Sequence, residues 1–546
     1  MFIGVDVGTG SARAGLFDKE GHILASHKQN IRMWREAGDI AEQSSDDIWQ
    51  AVCACVRAVV TQADIAPSEV KGIGFDAACS LVILDGDMQP LSVSLSGAAE
   101  RNVIVWMDHR ATEQAERINA QGHGVLDYVG GRISPEMQTP KLLWIKENLP
   151  QAFLKAGHFF DLSDYLTWAS TGGFTRSTCT VTCKWTYLAH ENRWDDSYFR
   201  DIGLPEMPDE GYRRIGQEVV PPGTALANGL SDLAAEQMGL VPGTPVGAGL
   251  IDAHAGGIGT VGADPNLGPE DTMAYVFGTS ACTMASSPVA NKVPGVWGPY
   301  FSAMVPGMWL SEGGQSAAGE AIAHVVNAHP ASARASDAAQ KVGQSLQAFL
   351  LSEVERQSPT ASDAVRLAGA RVLVPDLLGN RAPYADPGAT GTMSGLTLTQ
   401  DHDDLVATYI AAIVGVGYGL RQIMEAQGVH GVRPKVIAIS GGAGESTTVQ
   451  QILADASGYP ILVTESPEPV LLGAAMLGAV ASKSQPSLVS AMSSMSRVVR
   501  RVDPAKNDIA DIHAARYSTF TNFQRLDRTL RNDLKRLERE TQDEPR

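Results

Sequence analysis

One short pattern occurs twice in the chain and constrains its fold more than any other feature. FIGVDV is followed by the turn Gly8-Thr9-Gly10-Ser11 and the run RAGLF; far downstream, MAYVF leads through Gly278-Thr279-Ser280 into ACTMASS. Short apolar runs on either side of a glycine turn read as paired strands. The chain is therefore expected to consist of two similar halves. At roughly 150 residues per domain, the 546 residues allow two to four domains.

The segments around the pattern are mixed. HILASHKQ follows Asp18-Lys19-Glu20-Gly21 and extends the first hairpin to a meander. Ser44 and Ser45 with Asp46 and Asp47 mark a helix start, and Ile48, Val52, Cys55, Val56, Val59 and Val60 keep helical spacing up to Pro67. Strands are expected in VKGIGFDA and CSLVILD, and a helix over 110–119. This order predicts an α/β domain. A glycine-rich, nearly uncharged stretch, 241–263, separates the halves, with the junction near residue 258. Beyond it, helices are expected over 336–357, 405–427 and 447–458, with a strand in KVIAIS. The last forty or so residues carry Ile509, Ile512, Phe520, Phe523, Leu526, Leu530, Leu534 and Leu537 as an apolar stripe on a charged helix. That stripe is expected to pack on its own domain, with a homodimer contact as the alternative.

Composition excludes several functions. A formal charge of −18 repels nucleic-acid phosphates and anionic lipid, so neither nucleic acid nor a membrane surface is an expected partner. The uncharged run from Leu405 to Leu420 is bracketed by Asp404 and Arg421 and falls short of the ~20 residues that span a bilayer. Six cysteines are sparse, and MFIGVDVG has no leader character, so a reduced, cytoplasmic protein is expected. Cys53, Cys55, Cys179 and Cys183 read as buried thiols. No P-loop lysine, HExxH, GxSxG or zinc spacing occurs. The lone GxGxxG, from Gly257 to Gly262, does not open a helix after a strand in the manner of a nicotinamide site.

The two turns carry the chemistry. Backbone N–H groups of such turns form concave anion nests, and the Thr and Ser hydroxyls add donors for phosphate oxygens. Asp6, just before the first turn, suits a hydrated Mg²⁺, which keeps its waters and takes few protein carboxylates. Arg13 adds a fixed positive charge.

DVGTGSAR, WMDHR (106–110), GLIDAHAG (249–256), FGTS (277–280) and ISGGAGES (439–446), in this order and spacing, resemble the FGGY carbohydrate kinase family of the actin-like ATPase superfamily. GNRAPYADPGATG and LLGAAMLGA add to the likeness, which runs from residue 1 to about 482. The resemblance implies two actin-like (ribonuclease H-like) domains around an ATP/sugar cleft: 1–258 on the sugar side, 259–500 on the ATP side, with a helical tail over 501–546. It implies Asp252 as catalytic base, because a sugar hydroxyl is a poor nucleophile until a carboxylate accepts its proton. Phosphates would lie against Thr9, Gly10, Ser11, Arg13, Gly278, Thr279 and Ser280. Adenosine would approach Gly441, Gly442 and Ala443, with Gln315 and Gly319 nearby, and Mg²⁺ would sit at Asp6 and Asp252.

FDAACSLVILD and VIVWMDHRA resemble the D-ribulokinase branch, with Ala78 where that branch has threonine. By the same likeness Asp76, Trp106, Asp108, Lys184, Asp252 and Glu312 would contact the sugar. The expected activity is phosphorylation of D-ribulose by MgATP. L-ribulose, D-xylulose and ribitol remain alternatives, as does a non-catalytic actin-like ATP-binding regulator. The regulator would have no use for Asp252 or residues 106–110.

Overall fold

The computed structural model describes residues 1–36, 40–506 and 508–542. Phe2–Val7 pairs antiparallel with Ser11–Phe17 and parallel with Gly72–Ala77; Thr272–Phe277 pairs antiparallel with Ala281–Ser287 and parallel with Val436–Ser440. The repeated pattern is thus the centre of two sheets of like topology. The first sheet is completed by Ile23–Asn30 beyond the hairpin and by Val246–Ile251 beside Gly72–Ala77. The second has seven strands, ending in Val498–Val502. Both glycine turns lie at the carboxyl ends of central parallel strands, where open α/β sheets bind ligands.

The change of sheet falls across the helix Asp252–Val261, which starts directly after the last strand of the first sheet. Gly256, Gly257 and Gly259 therefore lie in a buried helix, not in a loop. They serve close packing: a methyl at Gly259 would strike the Pro469 carbonyl, and one at Gly473 would strike that of Ala255. The partner helix, Pro469–Ala481, belongs to the second half of the chain yet also lies on the first sheet, where Gly4, Gly72 and Gly74 admit its backbone.

The expected helix over 336–357 is two helices, Ser332–Lys341 and Leu346–Gln357, broken where Gly343 takes a left-handed φ of 70°. His402–Val429, which contains the long uncharged run, is the only helix among the described residues long and apolar enough to cross a membrane, and it is the buried core helix of the second domain. All six cysteines are free, and five are buried.

The tail is one helix, Asp508–Gln542. Its first half packs on the second domain through Ile509, Tyr517 and Phe520. Leu526, Leu530, Leu534 and Leu537 stay at least half exposed.

Candidate active site

Three carboxylates meet where the parallel strands of the first sheet end. Asp6 is in register with Asp76, and Asp76 pairs with Leu250, two residues before Asp252. Asp6 Oδ2 accepts Arg13 Nε at 2.7 Å, and Arg13 Nη1 donates to Glu468 Oε2 at 2.8 Å, tying the first sheet to the start of Pro469–Ala481. Asp76 is fully buried with neither oxygen hydrogen-bonded. Burial, then the charge of Asp6, push its pKa well above the usual carboxylate range. The structure does not bring Asp76 into the cleft lining, where Asp6, in register beside it, stands.

Asp252 opens its helix, and its Oδ1 takes the Ala253 N–H at 2.7 Å. Burial first, and Asp6 second, raise its pKa to about 6. A carboxylate of that basicity is ionised at neutral pH and is a better proton acceptor than an ordinary one. It lines a cleft of about 300 Å³ together with Asp6, Thr9, Arg13, Trp106 and Ser280.

The turns supply donors. The carbonyls of Gly278 and Thr279 accept the N–H groups of residues 318–320 at the head of the helix Gly319–Asn327. Among the described residues the Thr279 and Ser280 N–H groups and hydroxyls remain unpartnered, as do the N–H groups of Thr9 and Gly10. The first turn, which Ser11 closes by accepting the Gly8 N–H, is braced by Trp106, whose indole N–H donates to Thr9 Oγ1 at 2.9 Å.

At the other end of the cleft stand Lys184, Glu312, Glu136, Trp297 and Arg381. Lys184 comes from the helix Thr178–Trp185, capped by Ser177. It is buried, and among the described residues its ammonium has neither a hydrogen-bond acceptor nor a salt-bridge carboxylate. Burial opposes its charge, but Cys79, Glu312, Tyr300 and Glu136 hold its pKa above the usual range. Glu312, on Trp309–Gln315, meets His254 Nε2 at 3.3 Å, and His254 Nδ1 lies 3.0 Å from Cys179 Sγ. Burial alone would raise the Glu312 pKa; the bond to His254, with Lys184 and Arg381, brings it down to about 2. An acceptor held in its ionised form by His254 therefore faces the cleft beside an ammonium that, among the described residues, has the Trp297 ring but no oxygen as partner.

A second cavity, about 200 Å³, is walled by Phe277, Gly319, Ile322, Leu351, Tyr409 and Gly442. Its size and mostly apolar walls suit a flat heterocycle. Gly441, beside it, has a φ of 92°, and a methyl there would strike the Phe277 carbonyl; the backbone of Ala443 continues the same turn.

Two further expected contacts are placed elsewhere. Asp108 is buried with its carboxylate engaged by the Ala41 N–H at 2.8 Å and by Arg110, which also pairs with Glu42. It anchors the loop that carries Trp106 and does not line the cleft. Gln315 accepts from Tyr275 and donates to the Val416 carbonyl, so it locks the core helix His402–Val429 to the sheet. Sequence reasoning missed Glu136, Trp297, Arg381 and His254. Arg381 and His254 stand within GNRAPYADPGATG and GLIDAHAG, whereas Glu136 and Trp297 have no such signal.

The two-domain fold, with paired glycine turns over a carboxylate-lined cleft, is that of sugar kinases of known structure, and the chain belongs to the FGGY family of carbohydrate kinases. The model of that family's N-terminal domain matches residues 1–259, and that of its C-terminal domain matches residues 273–482. An FGGY carbohydrate kinase domain-containing protein of Homo sapiens is 45% identical, covering 93% of each chain. A D-ribulokinase of Saccharomyces cerevisiae is 36% identical over 88% of this chain and 72% of its own. The fold is also that of a ligand-bound xylulose kinase from Lactobacillus acidophilus, with a TM-score of 0.76 and 20% identity over 97% of this chain and 98% of that one.

Proposed function

We propose that the protein transfers the γ-phosphoryl group of MgATP to the primary hydroxyl of a pentulose, with D-ribulose as the preferred substrate. The observation that carries this reading is the presence, in one cleft, of the basic carboxylate of Asp252, the ionised Glu312 and the Lys184 ammonium, which has no oxygen partner among the described residues. Lys184 and Glu312 would bind the carbonyl and hydroxyls of the sugar, leaving its terminal hydroxyl to lose its proton to Asp252. Discrimination between epimers then follows from leaving a buried donor or acceptor unpaired with the wrong sugar. The 36% identity to a D-ribulokinase supports the choice of sugar.

The donor set fits Mg²⁺. Arg13 engages Asp6 through Oδ2, Asp252 has a second oxygen beyond the one that takes the Ala253 N–H, and Asp76 is in register beside Asp6. Among the described residues no group of three ligating side chains is placed to enclose an ion. Two hard oxygens with room for water suit an ion that keeps its waters and takes phosphate ligands. When bound, Mg²⁺ neutralises charge on the phosphates. Arg13 orients Asp6, and the two turns direct N–H groups at the transferring phosphate.

ADP release measured across D-ribulose, L-ribulose, D-xylulose, ribitol, hexuloses and glycerol tests the reading. D-ribulose should show the highest kcat/KM and glycerol should stay near background. A better hexulose or glycerol overturns the pentulose assignment.

A further inference from the structure

Arg381 is the second cation at the sugar end of the cleft. Its guanidinium lies 5.6 Å from the centroid of the Trp297 ring, to which Lys184 Nζ comes within 5.1 Å. Among the described residues it forms no salt bridge, and its only hydrogen bond is a weak one of 3.8 Å to Cys282 Sγ. A half-buried guanidinium in a cleft, lacking an oxygen partner, is poised for one.

The loop that carries Arg381 is held from outside by the C-terminal helix. Within the loop, Asn380 and Asp386 exchange backbone hydrogen bonds at 2.9 Å and form the neck that presents Arg381 and the residues after it. Arg531 reaches Asp386 with two prongs, at 2.6 and 3.3 Å, while its Nε is oriented by Asp527 one helical turn earlier. Arg528 lies 3.9 Å over the Tyr384 ring, and Gln524 donates to Asp376 at 2.9 Å. On its inner side the loop sits against backbone, since a methyl at Gly295 would strike the Pro383 carbonyl. The Arg531–Asp386 pair is largely covered, with side chains 18% and 25% exposed, so solvent screens it less than an open surface pair.

We propose that Arg381 binds an oxygen of the sugar and that the C-terminal helix, through Arg531 and Asp386, fixes the loop that presents it. Arg531 is then a positioning residue for sugar affinity located outside the segments that match the family models. The inference rests on the sugar end of the cleft assigned above, not on which pentulose is preferred.

Steady-state kinetics on the full chain, with the best sugar of the panel, test it. Arg381→Met and Arg531→Glu should each raise the sugar KM about 5- to 20-fold while kcat and the ATP KM stay within about twofold, the mark of lost substrate binding. Arg531→Lys should recover most of the loss. The double variant should be no worse than Arg381→Met alone, because both changes remove one interaction. Amide exchange across 380–388 should rise in Arg531→Glu. An unchanged sugar KM in Arg531→Glu, or full additivity in the double variant, overturns the proposal. Should no sugar stimulate ADP release from the wild type, the proposed function fails. Exchange needs no substrate and still decides the brace: unchanged exchange over 380–388 refutes it.

Discussion

Replacing Asp252 by Asn separates chemistry from folding. The amide keeps the shape and an oxygen for the Ala253 N–H but accepts no proton. Loss of a general base lowers kcat by about 10²- to 10⁴-fold, equivalent to about 3 to 5 kcal/mol in the barrier. The stability effect has the opposite sign. In the folded state the Asp252 pKa is raised to about 6, against about 3.9 for an unfolded aspartate. A raised carboxylate pKa gives a contribution that is complete below about pH 4 and lost as pH rises through about 6. Above that window the ionised carboxylate destabilises the fold by up to about 3 kcal/mol, and by less where cleft water screens it. Asn removes that penalty, so at pH 8 the variant should melt higher than wild type. In the wild type, kcat/KM should fall below about pH 6 as Asp252 takes up a proton, and the residual activity of the variant should lack this limb. Coupled ADP-release kinetics from pH 5 to 9 and thermal melts at pH 8 provide both readings. A variant with near wild-type kcat, or one that melts lower, refutes the assignment of Asp252 as a desolvated base.

Lys184→Met should narrow the preference for D-ribulose over its epimers and raise the sugar KM roughly 10- to 100-fold, the effect of one lost contact to a charged group; a KM change confined to ATP would contradict its placement. Gly441→Ala forces a methyl against the Phe277 carbonyl at a left-handed φ. It should raise the ATP KM and spare the sugar KM, and isothermal titration with ADP would detect the loss directly. Excess chelator should abolish turnover and added Mg²⁺ restore it; full activity without a divalent ion would remove Asp6 and Asp252 from a metal site.

What could be read in the sequence was what short-range chemistry dictates. The paired glycine turns, the first meander and the start of Ser45–Gln62 depend on local apolar runs and caps, and Ser44 does accept the Asp47 N–H. Asp252 and Lys184 were reachable because their motifs are contiguous. Whether a polar side chain faces the cleft or its own domain was not legible. Asp108 turns to Arg110, two residues on, and Gln315 turns to the Val416 carbonyl, a long-range partner that no motif reveals. Trp297 and Glu136 join the cleft through tertiary packing alone. The glycine-rich stretch between the halves gave no sign that Gly256, Gly257 and Gly259 lie in a buried helix, because glycine serves flexible loops and backbone contact equally well.

The contact between Asp252–Val261 and Pro469–Ala481 joins the helix that begins with Asp252 to the helix that begins beside Glu468. At Gly259 with Pro469 and at Gly473 with Ala255 the helices meet through backbone, while Ile258, Leu472 and Met476 share the buried cluster around them. Such a crossing sets one short separation between the two helices. Asp252, at the start of one helix, and the Arg13–Glu468 link, at the start of the other, are held in one backbone frame by it. A larger residue at Gly259 or Gly473 would spread that frame and shift Asp252 relative to Arg13.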